Sequence, residues 1–452
     1  MHTKTPFLIS LILIIGLLCS GCGLPFLPEV SEAAPPAEET TPAETWGAAA
    51  LPASPEPSET SAPAPALEPE PEPVPESAVE SEPVPGSAAE PEEPSAAPQE
   101  TPDEAEIDAL LSGMTLEEKV AQLFVVTPEA LTGFDGTVTA SGDLTRESFA
   151  EIPVGGLVYM GDNLENAAQT REMLSDMREI SLDRIGLVPF LCVDEEGGTV
   201  ARISGSGRFD TREYPDMSDV GETGDPEEAR QIGDEMGKYL SDLGFNVDFA
   251  PVADVLSNPE NGVVKYRAFS SDPKTVAAMT AAFTQGLEAH GVLASYKHFP
   301  GHGNTAEDSH LGFAESDADL ETLRGRELIP FADGIGNGIS MIMAGHISLP
   351  EVTDSERPAS LSRRVITELL REEMGFDGLV ITDALNMGAI ADNYTSGEAA
   401  VMALEAGVDL LLMPSSFSAA YDAVLEAVSD GTLPEERIDA SLRRILRVKL
   451  RL

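Results

Sequence analysis

Eight short apolar runs recur through the last 350 or so residues, at 123–126, 156–159, 189–193, 247–251, 293–298, 340–346, 379–382 and 409–413, with longer stretches of helical periodicity between them. Runs this short, bounded by polar or turn residues, read as strands buried on both faces. Strand alternating with helix argues for a parallel sheet, because each parallel connection needs a crossover long enough to hold a helix. Thr115-Leu116-Glu117-Glu118 marks one helix start, since its spacing fits a capping box. Eight such units over this length argue for a closed (β/α)8 TIM-type barrel, an α/β fold, with an open doubly wound sheet as the structural alternative.

Polar residues choose the same end of several of these runs. Asp194 follows 189–193, Lys297 and His298 close 293–298, His346 closes 340–346, and Asp383 follows 379–382. In a parallel barrel all these ends meet at one mouth, which is where active sites form.

The first hundred residues cannot join that core. Lys4 precedes an apolar stretch over 7–18 that is too short for a comfortable membrane span and reads as a signal peptide over 1–21. Cys19-Ser20-Gly21-Cys22 is similar to a bacterial lipoprotein cleavage box, with Cys22 as the lipidation site. A chain processed there keeps only Cys192 as a free thiol, so no disulfide framework is available and stability must come from packing. From 22 to 103 Pro, Glu, Ala and Ser dominate, and no Lys or Arg occurs between Lys4 and Lys119. Such a segment lacks the apolar content to bury a core and reads as a disordered linker. At about 3.1 Å per extended residue, roughly 80 residues reach on the order of 200 Å. The expected arrangement is a lipid-anchored, extracytoplasmic enzyme whose catalytic domain spans 104–452.

Charge narrows the partners. The net charge is −52, and 18 of the 79 acidic residues lie in the linker, leaving 61 acidic against 26 basic residues beyond it. Nucleic acid is excluded as a partner, because phosphate binding needs a basic face. The membrane is expected as a partner through the lipid anchor alone.

Two elements carry chemistry. Asp383 follows the run Leu379-Val380-Ile381-Thr382. On spacing alone it is either the N-cap of the next helix or a carboxylate able to attack an anomeric carbon. The loop Lys297-His298-Phe299-Pro300-Gly301-His302-Gly303-Asn304-Thr305-Ala306-Glu307-Asp308-Ser309-His310 holds three of the six histidines. It contains no HExxH pattern and is shaped by Gly and Pro, so no metal is expected. A carboxylate at Asp308 beside the His310 imidazole would orient it and stabilise its cation, suiting it to acid/base work near neutrality.

These elements resemble glycoside hydrolase family 3, in its β-N-acetylglucosaminidase branch. The resemblance runs through Met114-Thr115-Leu116-Glu117-Glu118-Lys119-Val120-Ala121-Gln122-Leu123, Val193-Asp194-Glu195-Glu196-Gly197-Gly198 with Arg202, Arg267-Ala268-Phe269 with Asp272-Pro273, the 297–310 loop, and Val380-Ile381-Thr382-Asp383. It implies a barrel and a retaining exo-hydrolase of terminal β-N-acetylglucosamine, acting on cell-wall amino sugars such as muropeptides. Asp383 would be the nucleophile, His310 the acid/base and Asp308 its partner. Asp194, Arg202, Arg267, Lys297 and His298 would bind the terminal sugar. No cofactor is implied, and no second α/β domain is expected. Glu195, Thr199, Ala268 and Asn304 depart from the family's usual Gln, Arg, Ser and Asp. A β-glucosidase or a phosphorylase of the same family, in which phosphate replaces water, is the alternative within the class. A sugar-binding lipoprotein without catalysis is the alternative outside it.

Overall fold

The computed structural model describes residues 103–305, 314–353 and 355–452. The expected signal peptide, Cys22, the linker up to 102, Asp308 and His310 lie outside these residues.

All eight expected strands form. They are β1 (Phe124–Val126), β2 (Gly156–Val158), β3 (Phe190–Val193), β4 (Val247–Asp248), β5 (Leu293–Phe299), β6 (Met341–Ala344), β7 (Leu379–Thr382) and β8 (Leu411–Leu412). Each pairs in parallel with the next in sequence from β1 to β7, and β8 returns to pair with β1. A parallel bridge between Ile381 and Leu410, with the Thr382 N–H donating to the Leu410 carbonyl at 3.0 Å, joins β7 to the chain entering β8. The sheet therefore closes, and the open doubly wound alternative does not occur.

Some strands are shorter than their apolar runs. β4 stops at Asp248 although the run continues to Pro251, which has no N–H to offer a ladder. β8 begins only at Leu411: just before it, the N–H groups of Asp409 and Leu410 both turn to the one Val380 carbonyl of β7, at 2.8 and 3.0 Å, instead of entering a regular ladder.

The helices start and stop as local chemistry dictates. Thr115 and Glu118 make the reciprocal capping box expected of them. Asn166 caps Ala167–Ile185, and Gly186 ends that helix at φ 73°, a left-handed conformation that suits glycine. The helices Pro226–Leu243 and Pro273–Glu288 press together through glycines: a Cβ at Gly233 would meet the Phe283 carbonyl at 2.1 Å, and one at Gly286 the Arg230 carbonyl at 2.2 Å. The core fills the barrel and the layer between sheet and helices, with Phe124, Phe190, Phe249, Tyr296, Phe299 and Phe331 fully buried. No helix among the described residues is long and apolar enough to cross a membrane.

Candidate active site

The strand ends deliver their polar residues to one cavity of about 350 Å³. β3 delivers Asp194, β5 delivers Lys297 and His298 across a cis peptide, and β7 delivers Asp383. After β3 the chain folds into a small antiparallel ribbon, Glu195–Gly197 against Val200–Ala201, which brings Glu196 and Arg202 to the same cavity. The long connection after β4 supplies Arg267. Six of the eight residues expected in the site thus line one pocket; Asp308 and His310 are the two outside the described residues.

Buried charge is balanced residue by residue. Glu196 accepts a two-pronged pair from Arg267, Nε to Oε2 and Nη2 to Oε1, both at 2.8 Å, and it also pairs with Lys297. The Lys297 ammonium donates to Asp194 Oδ1 at 3.0 Å. Burial alone would push the Glu196 carboxyl up, but the charges of Arg267 and Lys297 outweigh it and hold it well below the usual carboxylate range. Burial likewise works against the Lys297 ammonium, and Glu196 and Asp194 reverse that, so it stays charged above its ordinary range. Arg202 lines the same wall, and its buried Nε has no acceptor among the described residues. The wall therefore offers fixed charges and donors still able to hold hydroxyls.

Asp383 lines the same cavity. Its Oδ1 accepts the Ala384 N–H at 2.8 Å, so part of its capping reading is real, but only to its own neighbour. Burial pushes this carboxyl up. The fields of His298 and His346, the Ala384 N–H and the Lys297 charge overcome that and hold it below the usual range, so it is a carboxylate at neutral pH.

Three contributors were not singled out from the sequence. Glu196 lies within Val193–Gly198 with no sequence signal that separates it from Glu195, yet it organises both cations. Asp254 lies just past the β4 run, at the same mouth as the other acids, and that position was the available signal. Its Oδ2 binds His298 Nδ1 at 2.8 Å, and its Oδ1 accepts the N–H groups of His298 at 3.2 Å and His302 at 2.6 Å. This fixes the His298 ring and turns its Nε2 toward Arg267 Nη2 at 3.4 Å. His302 also lines the cavity, and burial lowers its affinity for a proton. His346 stands at the mouth beside Asp383 as expected but is buried and does not line the cavity, with Nδ1 against Ser360 Oγ at 2.8 Å and Nε2 donating to the Ala384 carbonyl at 3.0 Å.

The departures from the family pattern fall away from the cavity lining. Glu195 is fully buried and points into the fold, where it accepts the N–H groups of Ile203 and Ser204 and the Tyr239 hydroxyl. Thr199 is exposed on the ribbon turn. Ala268 packs with Val252 and Val264, and Asn304 donates to Ser316 Oγ at 2.7 Å.

A parallel barrel with this mouth matches what sequence comparison finds. The Glycosyl hydrolase family 3 N terminal domain matches residues 115–448. The chain belongs to glycosyl hydrolase family 3. Among family members, it is 34% identical over 334 residues to β-hexosaminidase A of Pseudoalteromonas piscicida, covering 68% of this chain and 55% of that protein. It is 37% identical over 269 residues to β-hexosaminidase LpqI of Mycobacterium tuberculosis, covering 57% of this chain and 67% of that one. A solved family 3 β-N-acetylglucosaminidase from Paenibacillus superposes with a TM-score of 0.69 at 37% identity, over 75% of this chain and 63% of that one. The chain thus spans little more than half of the Pseudoalteromonas protein and under two thirds of the Paenibacillus chain.

Proposed function

We propose that this chain is a retaining exo-β-N-acetylglucosaminidase that removes terminal β-linked N-acetylglucosamine, with cell-wall amino sugars as its carbohydrate partner. The observation that carries the reading is the ionised Asp383 sharing one cavity with the fixed donors of Lys297, Arg202 and Arg267 and with the oriented imidazole of His298. The names borne by the similar proteins, β-hexosaminidase and β-N-acetylglucosaminidase, support the choice of sugar.

In the first step Asp383 attacks C1 with Oδ2, since Oδ1 is engaged by the Ala384 N–H. The glycosidic C–O bond breaks, and the leaving oxygen takes the proton of the His310 imidazolium. A glycosyl ester remains on Asp383. In the second step neutral His310 removes a proton from water, which attacks C1 and releases Asp383, so the configuration is retained. Asp308 orients His310 through both steps. Asp194, Lys297, Arg202, Arg267 and His298 hold the hydroxyls, and Glu196 and Asp254 keep those groups in place.

We further propose that residues 1–21 are a lipoprotein signal peptide, that Cys22 carries the lipid, and that 22–103 is a spacer holding the domain 104–452 outside the cytoplasm. Cys22→Ala is expected to abolish lipid labelling and release the protein from membranes; unchanged retention rejects the anchor.

The catalytic assignment is tested by comparing two variants. Asp383→Ala is expected to lose turnover on every β-N-acetylglucosaminide. His310→Ala should retain more bond cleavage with activated aryl leaving groups, show a burst, and regain turnover with azide as a β-glycosyl azide forms. Equal loss on activated and unactivated substrates, with no burst and no azide rescue, would remove His310 from the acid/base role.

A further inference from the structure

Beside the Asp383 cavity lies a second hollow of about 540 Å³, and Asn386 and Met413 line both. Its floor and sides come from two loops at the same mouth. After β1, the short helix Pro128–Thr132 ends at Gly133, whose φ of 66° turns the chain out of the helix and presents Phe134 and Asp135. After β8, Met413, Pro414 and Ser415 complete the wall. Met413 holds φ 45°, the one non-glycine residue with positive φ among the described residues, so the backbone at the junction of the hollows is held in an uncommon conformation.

The Phe134 ring is 50% exposed, unusual for a residue that gains so much from burial. The loop that presents it is tied down: Glu129 Oε1 accepts the Val138 N–H and the Asn163 amide, both at 2.7 Å. Among the described residues Glu129 and Asp135 are the charged ones lining the hollow, and no Lys or Arg lines it with them.

We propose that this hollow receives the leaving-group sugar of the substrate, and that it favours a neutral ring over one bearing a free carboxylate. The proposal rests on the glycosidase reading above. The two hollows share Asn386, three residues beyond the nucleophile, so an aglycone that leaves the Asp383 cavity on that side enters the second hollow. The flat, apolar C–H face of a pyranose gains contact on an exposed aromatic ring, and Pro414 and Met413 extend the apolar surface. A carboxylate in the same place meets the Asp135 and Glu129 charges with no counter-ion. Within the wall-derived pool this favours chito-oligosaccharides and fragments whose lactyl carboxylate is amidated.

The experiment compares three substrates on the whole chain: N,N′-diacetylchitobiose, methyl β-N-acetylglucosaminide, which has no second ring, and β-N-acetylglucosaminyl-N-acetylmuramic acid with its free lactyl carboxylate. Phe134→Ala is expected to lower the ratio of kcat/KM for chitobiose over the methyl glycoside about tenfold. Asp135→Asn is expected to raise kcat/KM on the carboxylate-bearing disaccharide about threefold at low ionic strength, with the gain vanishing in high salt. A wild-type chain inert on all three removes the functional reading and this subsite with it. An active chain whose ratio Phe134→Ala leaves unmoved removes the subsite alone, and a change of oligomeric state in that variant would assign the hollow to a second copy instead. A wild-type preference for the carboxylate-bearing disaccharide overturns the charge selection.

Discussion

At the C-terminal mouth of the barrel Glu196 lies between Arg267 and Lys297; at the N-terminal end Asp409 lies between Arg371 and Arg444. Both carboxylates are buried, at 2% and 0% exposure. They differ in what their cations have left to give. Arg371 also donates to the carbonyls of Gly407, Phe376 and Gly378, and Asp409 takes up the Val380 N–H and the Ser441 hydroxyl besides its arginines. The C-terminal helix Glu435–Lys449, which carries Ser441 and Arg444, covers this cluster. At the other end Arg202 Nε has no acceptor among the described residues, and the cluster opens on a cavity. One network is closed by its own partners, whereas the other keeps capacity for a ligand. The same ion-pair chemistry is thus used up inside the fold in one place and left facing a cavity in the other.

The largest expected effect is at the closed end. Asp409→Asn leaves the largely buried Arg371 without its carboxylate, while Arg444 keeps Asp377, at 2.9 Å on the more exposed side. It should lower unfolding free energy by about 3–5 kcal/mol in denaturant titration, with kcat/KM per folded molecule unchanged. Loss of turnover in the folded fraction would show that the two ends are coupled and break the comparison.

Glu196→Gln should show the opposite balance. Lys297 and Arg267 lose their shared anchor at the cavity wall, so kcat/KM should fall about 100-fold, or about 2.7 kcal/mol. Its loss of stability should be smaller than that of Asp409→Asn, because water from the cavity can solvate the freed cations. A larger stability loss than at Asp409 would mean that the mouth network holds the fold as well.

The smallest effect sharpens the picture of the closed end. Glu288 ends the helix Pro273–Glu288 just before β5, and among the described residues the Ala294 N–H donates to its carboxylate, at 3.5 Å. Burial pushes its carboxyl up to about 7. Between the ordinary carboxylate range and that value the folded chain holds a proton that the unfolded chain has released. Stability therefore falls as pH rises through this window and levels off above it. Glu288→Gln should remove that fall, giving about 2 kcal/mol over wild type at pH 8 and no gain at pH 4. A gain that persists at pH 4 would place its origin in packing rather than in the charge.

Local pattern alone determined the eight strands, their parallel sense and the shared end at which Asp194, Lys297, His298 and Asp383 gather; the β8–β1 pairing decided between a barrel and an open sheet. Short apolar runs alternating with helical periodicity, several of them closed by a polar residue at the same end, favour a parallel sheet with one functional edge. The Thr115–Glu118 cap was legible for the same reason, since both partners lie within one turn. Tertiary structure decided what a carboxylate does once it reaches the mouth. Glu195 and Glu196 are neighbours of the same residue type on the same ribbon. One turns into the fold to hold the Ile203 and Ser204 amides, and the other turns to the cavity to hold two cations. Asp254 and His298 are 44 residues apart in the chain, and their 2.8 Å contact exists because β4 and β5 are neighbours in the barrel. A buried charge takes its meaning from the partner that offsets its lost hydration. For these residues the partner comes from another strand, so only the closed barrel determines it.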